Sequence, residues 1–418
     1  MKLHKSLVQA VIETLQQIFV QGVYADKAVE QVLKQNSRWG SRDRRFIAET
    51  TYEMVRWWRT LTLSTSSYPR LPSPKENGSG SNFLVGEGTD SAYYYKLFAT
   101  WQILKEVELP DWEEFKGVDK EKILEAAGQA KQIRKYRESI PDWLDELGSK
   151  ELVESVWEKE LHELNKEAKV VLRVNTLKTN RVQLHKLLEA QAIETTIIGD
   201  YNDALILNKR QHLQQLIEYK QGLFEIQDAS SQLIAPFLDL KEGMTVIDAC
   251  AGAGGKSLHI AAMLHNKGKI ISMDVEERKL LELKKRADRG GVNIIQTQLI
   301  NETAINKLKN TADRLLLDVP CSGLGVLKRN PDAKWKLSLD FINEVKKIQQ
   351  QIIGNYSEML KPQGILVYAT CSILPSENQK QIELFLEKNK NFEFIEDKKI
   401  LPSEGFDGFY MAKLMRCK

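Results

Sequence analysis

The sequence has few cysteines and no long apolar run, and both absences limit what the protein can be. Its four cysteines, Cys250, Cys321, Cys371 and Cys417, are far apart and lack the spacing of zinc ligands or of a small disulfide scaffold. We therefore expect no metal site and a reducing compartment, the cytoplasm. No apolar run is long enough to span a bilayer, and the N-terminus has an amphipathic helical pattern rather than that of a signal peptide. We expect no membrane partner.

A strong charge of either sign is also lacking. The 418 residues carry a net charge of +3, with 42% hydrophobic and 28% charged residues, which is typical of a soluble globular protein. Affinity for nucleic acid would therefore have to come from local basic patches. The length predicts two or three domains.

The first part of the chain has the periodicity of a helical domain, which we place at residues 1–135. Apolar residues recur at helical spacing, as at Leu7 and Val11. Residues 63–91 are rich in Ser, Pro and Gly, and this composition predicts a flexible loop. Residues 136–168 look like further helices, which we interpret as a helical linker.

One segment of this helical domain interleaves basic and aromatic side chains. Arg42 and Arg45 lie in it together with Trp39, Trp57 and Trp58. Such a pattern can follow RNA phosphates and stack on bases. The alternative is a helix whose aromatic residues are core and whose arginines are solvated. The sequence leaves both interpretations open.

Two α/β regions follow. Residues 169–235 contain short β-branched runs around one helix, which predicts a small α/β unit like an RRM, either an RNA platform or a packing module. In residues 236–418 strands and helices alternate, which predicts a doubly wound, Rossmann-like parallel sheet. The closing GFYMAKLMR, residues 408–416, is a possible last edge strand.

An acid and a cysteine follow one buried strand of this predicted sheet. The apolar run Leu315–Leu317 ends at Asp318, and Cys321 comes three residues later. Ligands of open α/β sheets bind beyond the carboxyl ends of the strands, so this stretch lies where a substrate is expected. The plain alternative is a turn with a buried cysteine.

A second cysteine, Cys371, also stands at a strand end, and Glu377 and Asn378 open the helix that follows it. Two cysteines at neighbouring strand ends point to covalent catalysis, although structural packing is the alternative. A thiolate that adds to carbon 6 of cytosine makes carbon 5 nucleophilic enough to accept a methyl group. The Asp318 carboxyl could hydrogen-bond the base during this step.

A glycine-rich turn indicates a nucleoside cofactor. Asp248 ends a strand, Gly252, Gly254 and Gly255 follow, and Asp274 closes the next strand, where an acid can bind ribose hydroxyls. A nicotinamide enzyme is the competing interpretation. An acid ahead of the glycines fits a cofactor with a cationic amino-acid moiety, such as S-adenosylmethionine, better than it fits a pyrophosphate.

A basic stretch follows the Pro-Cys motif and includes Lys328, Arg329 and Lys334. A basic loop beside a crevice can hold RNA phosphates. The alternative is a solvated surface loop.

These motifs carry a resemblance to a known family. DACAGAGGK, LLDVPCSGLGVLKRNPDAKW, LVYATCSILPSEN and DGFYMAKL resemble the Nol/Nop/Sun family of S-adenosylmethionine-dependent RNA (cytosine-5) methyltransferases. The resemblance covers the chain from about Lys169. Residues 1–135 more loosely resemble the NusB-like helical domain of the bacterial small-subunit rRNA branch.

The resemblance implies a role for each motif residue. Cys371 falls on the nucleophile, Cys321 on the cysteine that assists release of methylated RNA, Asp318 on the acid that holds the base, and Lys256 on a lysine near cofactor and base. The cofactor-binding set that it implies is Asp248, Cys250, Ala251, Gly252, Gly254, Gly255, Lys256, Asp274, Arg278, Asn301 and Asp318.

Two positions depart from the family pattern. The family commonly has Ala-Pro where this chain has Gly252-Ala253, which keeps the loop residues small. Many members place an acid after the third strand to bond the adenine amino group, whereas this chain has Asn301. Its amide oxygen could accept that hydrogen bond without a charge.

Together these features predict an S-adenosylmethionine-dependent RNA 5-methylcytosine methyltransferase that acts as a monomer on small-subunit rRNA. A noncatalytic RNA-binding factor of ribosome assembly that keeps the fold is the alternative from another class. A tRNA cytosine-5 methyltransferase is a second alternative, and a DNA cytosine methyltransferase is a lesser one.

Overall fold

The computed structural model describes residues 3–65 and 91–417, and the chain divides into two compact units. The first, here the helical unit, consists of Met1–Asn165 and Leu327–Phe341. The second, here the α/β unit, consists of Lys166–Val326 and Ile342–Lys418. Nearly all of the expected flexible loop at 63–91 lies outside the described residues.

Regular elements cover most of the described chain. None of the helices found there combines the length and the apolar composition needed to cross a bilayer. The helices are α1 (Lys5–Phe19), α2 (Ala25–Gln35), α3 (Ser41–Arg56), α4 (Trp58–Ser64), α5 (Ser91–Leu104), α6 (Lys120–Ala130), α7 (Arg134–Arg137), α8 (Asp142–Glu151), α9 (Glu154–Leu164), α10 (Arg181–Glu189), α11 (Ile217–Lys220), α12 (Ala229–Gln232), α13 (Gly255–Met263), α14 (Glu277–Gly290), α15 (Glu302–Lys307), α16 (Ala333–Lys336), α17 (Leu339–Tyr356) and α18 (Gln379–Lys388). The strands are β1 (Val170–Val174), β2 (Thr195–Ile197), β3 (Ala204–Leu207), β4 (Phe224–Ile226), β5 (Thr245–Asp248), β6 (Lys269–Asp274), β7 (Ile295–Leu299), β8 (Ala312–Asp318), β9 (Leu360–Thr370), β10 (Phe392–Ile400) and β11 (Phe409–Arg416).

The helical unit is built around one apolar core. Helix α1 buries Leu7 and Val11 in this core, as their spacing predicts. Trp58 is also buried there, and its ring stacks on Phe19 with the centroids 3.6 Å apart. The interpretation of this aromatic residue as core is therefore the correct one.

The expected helical linker at 136–168 is not a separate part of the structure. Residues up to Asn165 group with the N-terminal helices. The backbone N–H of Arg59 donates to Ser139 Oγ at 3.0 Å, and the guanidinium pairs with Asp142 at 2.7 Å. These bonds attach the later helices to α4.

The small sheet of the α/β unit is antiparallel, with strand order β2-β3-β1-β4. Leu172 and Phe224 on its strands pack with Leu184 and Leu188 of α10. The strands and the helix lie where the β-branched runs and the helical period predict them.

The large sheet has the strand order β10-β11-β9-β8-β5-β6-β7. Strands β5 to β9 pair in parallel, and β11 pairs antiparallel with both β9 and β10. This confirms the Rossmann-like prediction. The expectation that the closing segment is an edge strand is wrong, because β11 lies inside the sheet and the edge is β10.

Candidate active site

The crevice of the large sheet opens at the carboxyl ends of β5 and β8. From β5 the chain proceeds outward through β6 and β7, then returns to the other side of β5 as β8 and continues to β9. Ligands of such sheets bind where the strand order reverses. Asp248 ends β5 and Asp318 ends β8, so both acids stand at this reversal.

The glycine-rich loop after β5 lies close against α14. Gly252 and Gly254 have φ values of +54° and +86°, which side chains other than hydrogen rarely tolerate. A Cβ atom on Gly254 would come within 2.4 Å of Leu283 Cγ. Asp274 fixes the loop further, because its carboxylate accepts the N–H of Gly252 at 2.9 Å. The loop thus has the open backbone surface that a nucleoside cofactor requires.

Three further residues of the expected cofactor set form this same loop. The N–H of Ala251 donates to the Met273 carbonyl at 2.9 Å, and Gly255 is the first residue of α13. Burial raises the pKa of the Cys250 thiol well above its usual value. Cys250 therefore stays a neutral thiol at neutral pH.

Asp248 lies beneath this loop and is completely buried. Its Oδ2 accepts the Ser257 hydroxyl at 2.6 Å, whereas its Oδ1 has no hydrogen-bond partner among the described residues. Burial raises the pKa of Asp248 to about 7. The sequence suggested an acid that suits a cofactor with a cationic amino-acid moiety. The structure instead provides a buried acceptor oxygen whose carboxyl is only partly ionised near neutral pH.

Two residues of the expected cofactor set lie farther along the sheet edge. Arg278 is exposed on α14. Asn301 caps α15, because its Oδ1 accepts the N–H of Ala304 at 2.9 Å. Asn301 Oδ1 thus already accepts one hydrogen bond at a helix terminus, and its contact with the adenine amino group stays a prediction. Asn is a common residue at a helix N-cap, so the sequence around Asn301 carries no sign of any other role.

Lys256 and Asp318 form an ion pair in the crevice. Lys256 Nζ lies 2.5 Å from Asp318 Oδ2, and both side chains keep some exposure, 14% and 26%. Burial alone would lower the pKa of Lys256, but the charge and hydrogen bond of Asp318 raise it above the ordinary value. The negative form of Cys371 acts on Lys256 in the same direction.

Cys321 and Cys371, the two cysteines predicted to form the site, lie next to each other beyond the ends of β8 and β9. Their Sγ atoms are 3.3 Å apart. The hydrogen bond with Cys371 and burial raise the pKa of Cys321 well above its usual value. Cys321 is thus a protonated thiol beside the second sulfur, and this is the pair that sequence reasoning placed in one crevice.

Sequence reasoning missed the function of Glu377. It placed this residue in the first turn of a helix, but α18 begins at Gln379 and Glu377 is completely buried. The carboxylate accepts the N–H of Ser322 at 2.7 Å and the hydroxyls of Ser322 and Ser372. Each serine directly follows a site cysteine. That repeated Cys-Ser pair is the sequence signal that indicates a shared acceptor.

The basic residues predicted to bind RNA belong to the helical unit and differ in exposure. Arg42 and Arg45 are exposed on α3, and Arg329 is partly exposed. Lys328 and Lys334 are only 6% and 2% exposed, so neither has the surface that a phosphate contact needs. The interpretation of these two lysines as phosphate-binding residues is therefore wrong for this structure.

The burial of Lys334 follows from the packing of its segment. Next to it, Trp335 donates from Nε1 to the Val55 carbonyl at 2.7 Å. Lys334 Nζ donates to Asn165 Oδ1 at 3.2 Å, and burial lowers its pKa well below the usual value. A polar stretch of sequence thus forms part of an interior.

The sheet order, the glycine loop and the strand-end thiols define the class: a Rossmann-like methyltransferase with a paired-cysteine site. The sequence profile described as 16S rRNA methyltransferase RsmB/F matches residues 235–415. A second profile, the ferredoxin-like domain of the RsmF/B-like methyltransferases, matches residues 140–214. The chain belongs to the RsmB/F methyltransferase family, which confirms the resemblance seen in the motifs.

Individual relatives agree over most of the chain. The probable ribosomal RNA small subunit methyltransferase B of Synechocystis is 30% identical over 390 residues, which are 88% of this chain and 86% of that protein. The crystal structure of PH0851 has a TM-score of 0.81 at 21% identity, over 99% of both chains. NSun6 from Pyrococcus horikoshii with SFG has a TM-score of 0.62 at 21% identity, over 68% of this chain and 100% of that one. The two structures show the fold.

Proposed function

We propose that the protein transfers the methyl group of S-adenosylmethionine to carbon 5 of a cytosine in small-subunit rRNA. The observation that carries this proposal is the approach of the Cys321 and Cys371 sulfurs to 3.3 Å, at the sheet edge that also holds the Lys256–Asp318 pair. The name of the Synechocystis relative supports RNA of the small subunit as the substrate.

The residues around the glycine loop fit S-adenosylmethionine. Gly252 and Gly254 leave the backbone open, and Asp274 stands at the strand end where an acid can also reach ribose hydroxyls. The unpartnered Oδ1 of Asp248 is a polar atom that a donor group can satisfy. When bound there, the cofactor supplies an electrophilic methyl group.

Cys371 is proposed as the nucleophile. Its thiolate would add to carbon 6 of cytosine, which places electron density on carbon 5, so that carbon 5 could accept the methyl group that the cofactor would supply, with the cofactor sulfur as the leaving group. Lys256, paired with Asp318 in the same crevice, is the cation proposed to face the reacting groups. A base would then remove the carbon 5 proton, the electrons of that bond would re-form the double bond between carbons 5 and 6, and the Cys371 sulfur would leave as the thiolate.

Asp318 and Cys321 support these steps. Asp318 is held by Lys256 and accepts or donates a hydrogen bond at the N3 and amino edge of the base, which stabilises charge during addition. Cys321 stays a thiol beside Cys371 and assists release of the product. On the helical unit, the exposed Arg42 and Arg45 are proposed to contact RNA phosphates.

Labelled methyl transfer tests this function. The protein is incubated with S-adenosylmethionine labelled in the methyl group and with separate pools of rRNA, tRNA and DNA, and the labelled nucleoside is identified after digestion. We expect label in 5-methylcytidine from small-subunit rRNA. Label in tRNA or DNA alone contradicts the substrate, and label in none of the pools favours an assembly factor without catalysis. Cys417→Ala, distant in sequence from both motifs, is the matched cysteine control.

A further inference from the structure

One buried carboxylate is bonded to the loops of both site cysteines. Glu377 accepts the backbone N–H of Ser322 and the side-chain hydroxyls of Ser322 and Ser372. The two hydroxyls also lie 3.2 Å from each other. Because each serine is covalently joined to a cysteine, these bonds form a continuous connection from Cys321 to Cys371 that passes through Glu377.

Strand pairing ends before the sulfurs. The last paired residues of β8 and β9 are Asp318 and Ala369, and the N–H of Val319 adds one more bond to the Ala369 carbonyl at 3.0 Å. The next residue, Pro320, has no N–H to donate. Beyond this point the distance between the two loops depends on bonds other than the sheet ladder.

A second bond joins the loops directly. The N–H of Gly325 donates to the Cys371 carbonyl at 2.9 Å. It fixes the backbone of Cys371 against the continuation of the other loop. The bonds of Glu377 differ from this one because a single carboxylate accepts hydrogen bonds from both loops. The donors belong to the residues that immediately follow the two cysteines.

Glu377 is itself held from two sides. Gln349 Nε2 on α17 donates to Glu377 Oε1 at 3.3 Å and to the Pro320 carbonyl at 2.9 Å. The Tyr368 hydroxyl, from β9, donates to the backbone carbonyl of Glu377 at 2.8 Å. These bonds hold the carboxylate in one place in the interior, so it does not move with either cysteine loop.

We propose that Glu377 is a positioning residue that holds the Pro-Cys and Thr-Cys loops together, so that the Cys321 and Cys371 sulfurs stay in contact. Its importance for methyl transfer rests on the proposed function, but its effect on the sulfur pair does not. Glu377 touches neither sulfur through a hydrogen bond described in this structure, and its action runs through Ser322 and Ser372.

Disulfide formation measures this effect without RNA or cofactor. The diazene oxidant diamide takes one hydrogen from each thiol and becomes a hydrazine, while the two sulfurs form one bond. The sulfurs must move about 1 Å closer to reach a disulfide length, so the rate reports how they are held. The bond is quantified on the full-length protein by alkylating the remaining thiols and mapping the linked peptides by mass.

Glu377→Ala is expected to slow the Cys321–Cys371 cross-link on the order of tenfold to a hundredfold, because misplacing reacting groups by about 1 Å costs rate on that scale. Glu377→Gln keeps one acceptor oxygen and should slow it less. Glu387→Ala removes an exposed glutamate of α18, the helix that follows Glu377 in the chain, and should leave the rate unchanged.

The outcomes separate positioning from a general structural role. A folded Glu377→Ala protein that cross-links at the wild-type rate overturns the proposal, even if its melting temperature falls. Should that variant fail to fold, Glu377→Gln and Ser372→Ala decide, and wild-type rates in both overturn it. A wild-type protein that forms no Cys321–Cys371 disulfide overturns it as well.

Methyl transfer then shows whether the positioning serves catalysis. Glu377→Gln should lower kcat and leave the affinity for S-adenosylmethionine unchanged, since no contact of Glu377 involves the glycine loop. A slower cross-link in a protein whose wild type methylates no RNA would retain the positioning and reject the proposed function. If the wild type methylates RNA but the Glu377 variant cross-links at the wild-type rate, the proposed function is retained and the positioning role is rejected.

Discussion

The two halves of the sheet edge are held in different ways. In the glycine half, formed by the loop after β5 and the end of β6, Asp274 binds backbone N–H groups and Gly254 packs against Leu283. In the cysteine half, formed by the ends of β8 and β9, the buried Glu377 joins two loops through a backbone N–H and serine hydroxyls.

The difference corresponds to what each half is proposed to do. A cofactor site needs a fixed concave backbone, which small residues and backbone bonds provide. A pair of reacting sulfurs needs a distance fixed between two loops, which requires groups that reach across from one loop to the other. The glycine half should therefore tolerate changes of charge, and the cysteine half should not.

The two cysteines should give the largest effects. Cys371→Ala is expected to abolish methyl transfer because the sulfur that attacks carbon 6 is gone. Cys321→Ala should still permit attack and accumulate a covalent protein–RNA adduct. Denaturing gel electrophoresis of protein incubated with RNA and methyl donor measures both. An adduct with Cys371→Ala and none with Cys321→Ala would mean that Cys321 is the nucleophile and that Cys371 assists release.

Asp248 offers the largest effect in the glycine half, and it concerns stability. Its pKa is raised from 3.8 to about 7 in the folded protein, so ionisation of the buried carboxyl opposes folding as the pH rises from about 4 to 7. Relative to wild type, Asp248→Asn should gain stability through this window, by at most about 4 kcal/mol, and stay level above it.

Urea denaturation at pH 5 and pH 8 measures this difference. Asp340→Asn, which makes the same change at an exposed aspartate, is the matched control. A constant difference between Asp248→Asn and wild type would mean that the carboxyl is ionised without penalty. The glycine half would then hold an ionised side chain as the cysteine half does, and the contrast between the two halves would fail.

Asn378 should separate the two loops of the cysteine half. Its Oδ1 accepts the Thr370 hydroxyl at 2.5 Å, and its Nδ2 donates to the Ser372 carbonyl at 2.9 Å, so it holds only the loop that carries Cys371. Asn378→Ala is expected to lower kcat roughly tenfold through misplacement of that sulfur. Binding of S-adenosylmethionine, measured by calorimetry, should be unchanged, and Asn389→Ala serves as control.

The smallest effect is expected at Asn301. Asp is as good a helix cap as Asn, so Asn301→Asp should change neither the melting temperature nor the affinity for S-adenosylmethionine. Asn301→Ala should cost about 1 kcal/mol of stability through the lost cap. Tighter cofactor binding by Asn301→Asp in calorimetry would show that this side chain does meet the adenine.

The sequence predicts the parts of this site that depend on strand ends. Asp318, Cys321 and Cys371 follow apolar runs, and the order of parallel strands brings such ends together. It did not predict that β11 lies inside the sheet, because the place of a strand depends on its partners and not on its own residues. Periodicity locates elements along the chain but does not order them.

The burial of polar residues is a second feature that the local sequence pattern does not predict. Lys334 stands among charged residues and reads as exposed, but Trp335 anchors its segment in an interior. Glu377 looks like an ordinary acid in a helix start, and its partners Ser322 and Ser372 are 55 and 5 positions away. Only the folded chain brings these groups within bonding distance.

The position of β11 has a consequence for how the protein is made. Its partners are β9 and β10, both synthesised earlier, and β10 pairs in the sheet only with β11. In the large sheet β10 therefore has no strand partner until β11 folds beside it. The first residues of β11 pair beside Thr370, next to Cys371, so β11 supplies the second strand neighbour of β9 at this point. A protein truncated before residue 409 would leave β10 without its strand partner and would lack the strand that pairs beside Thr370, next to Cys371.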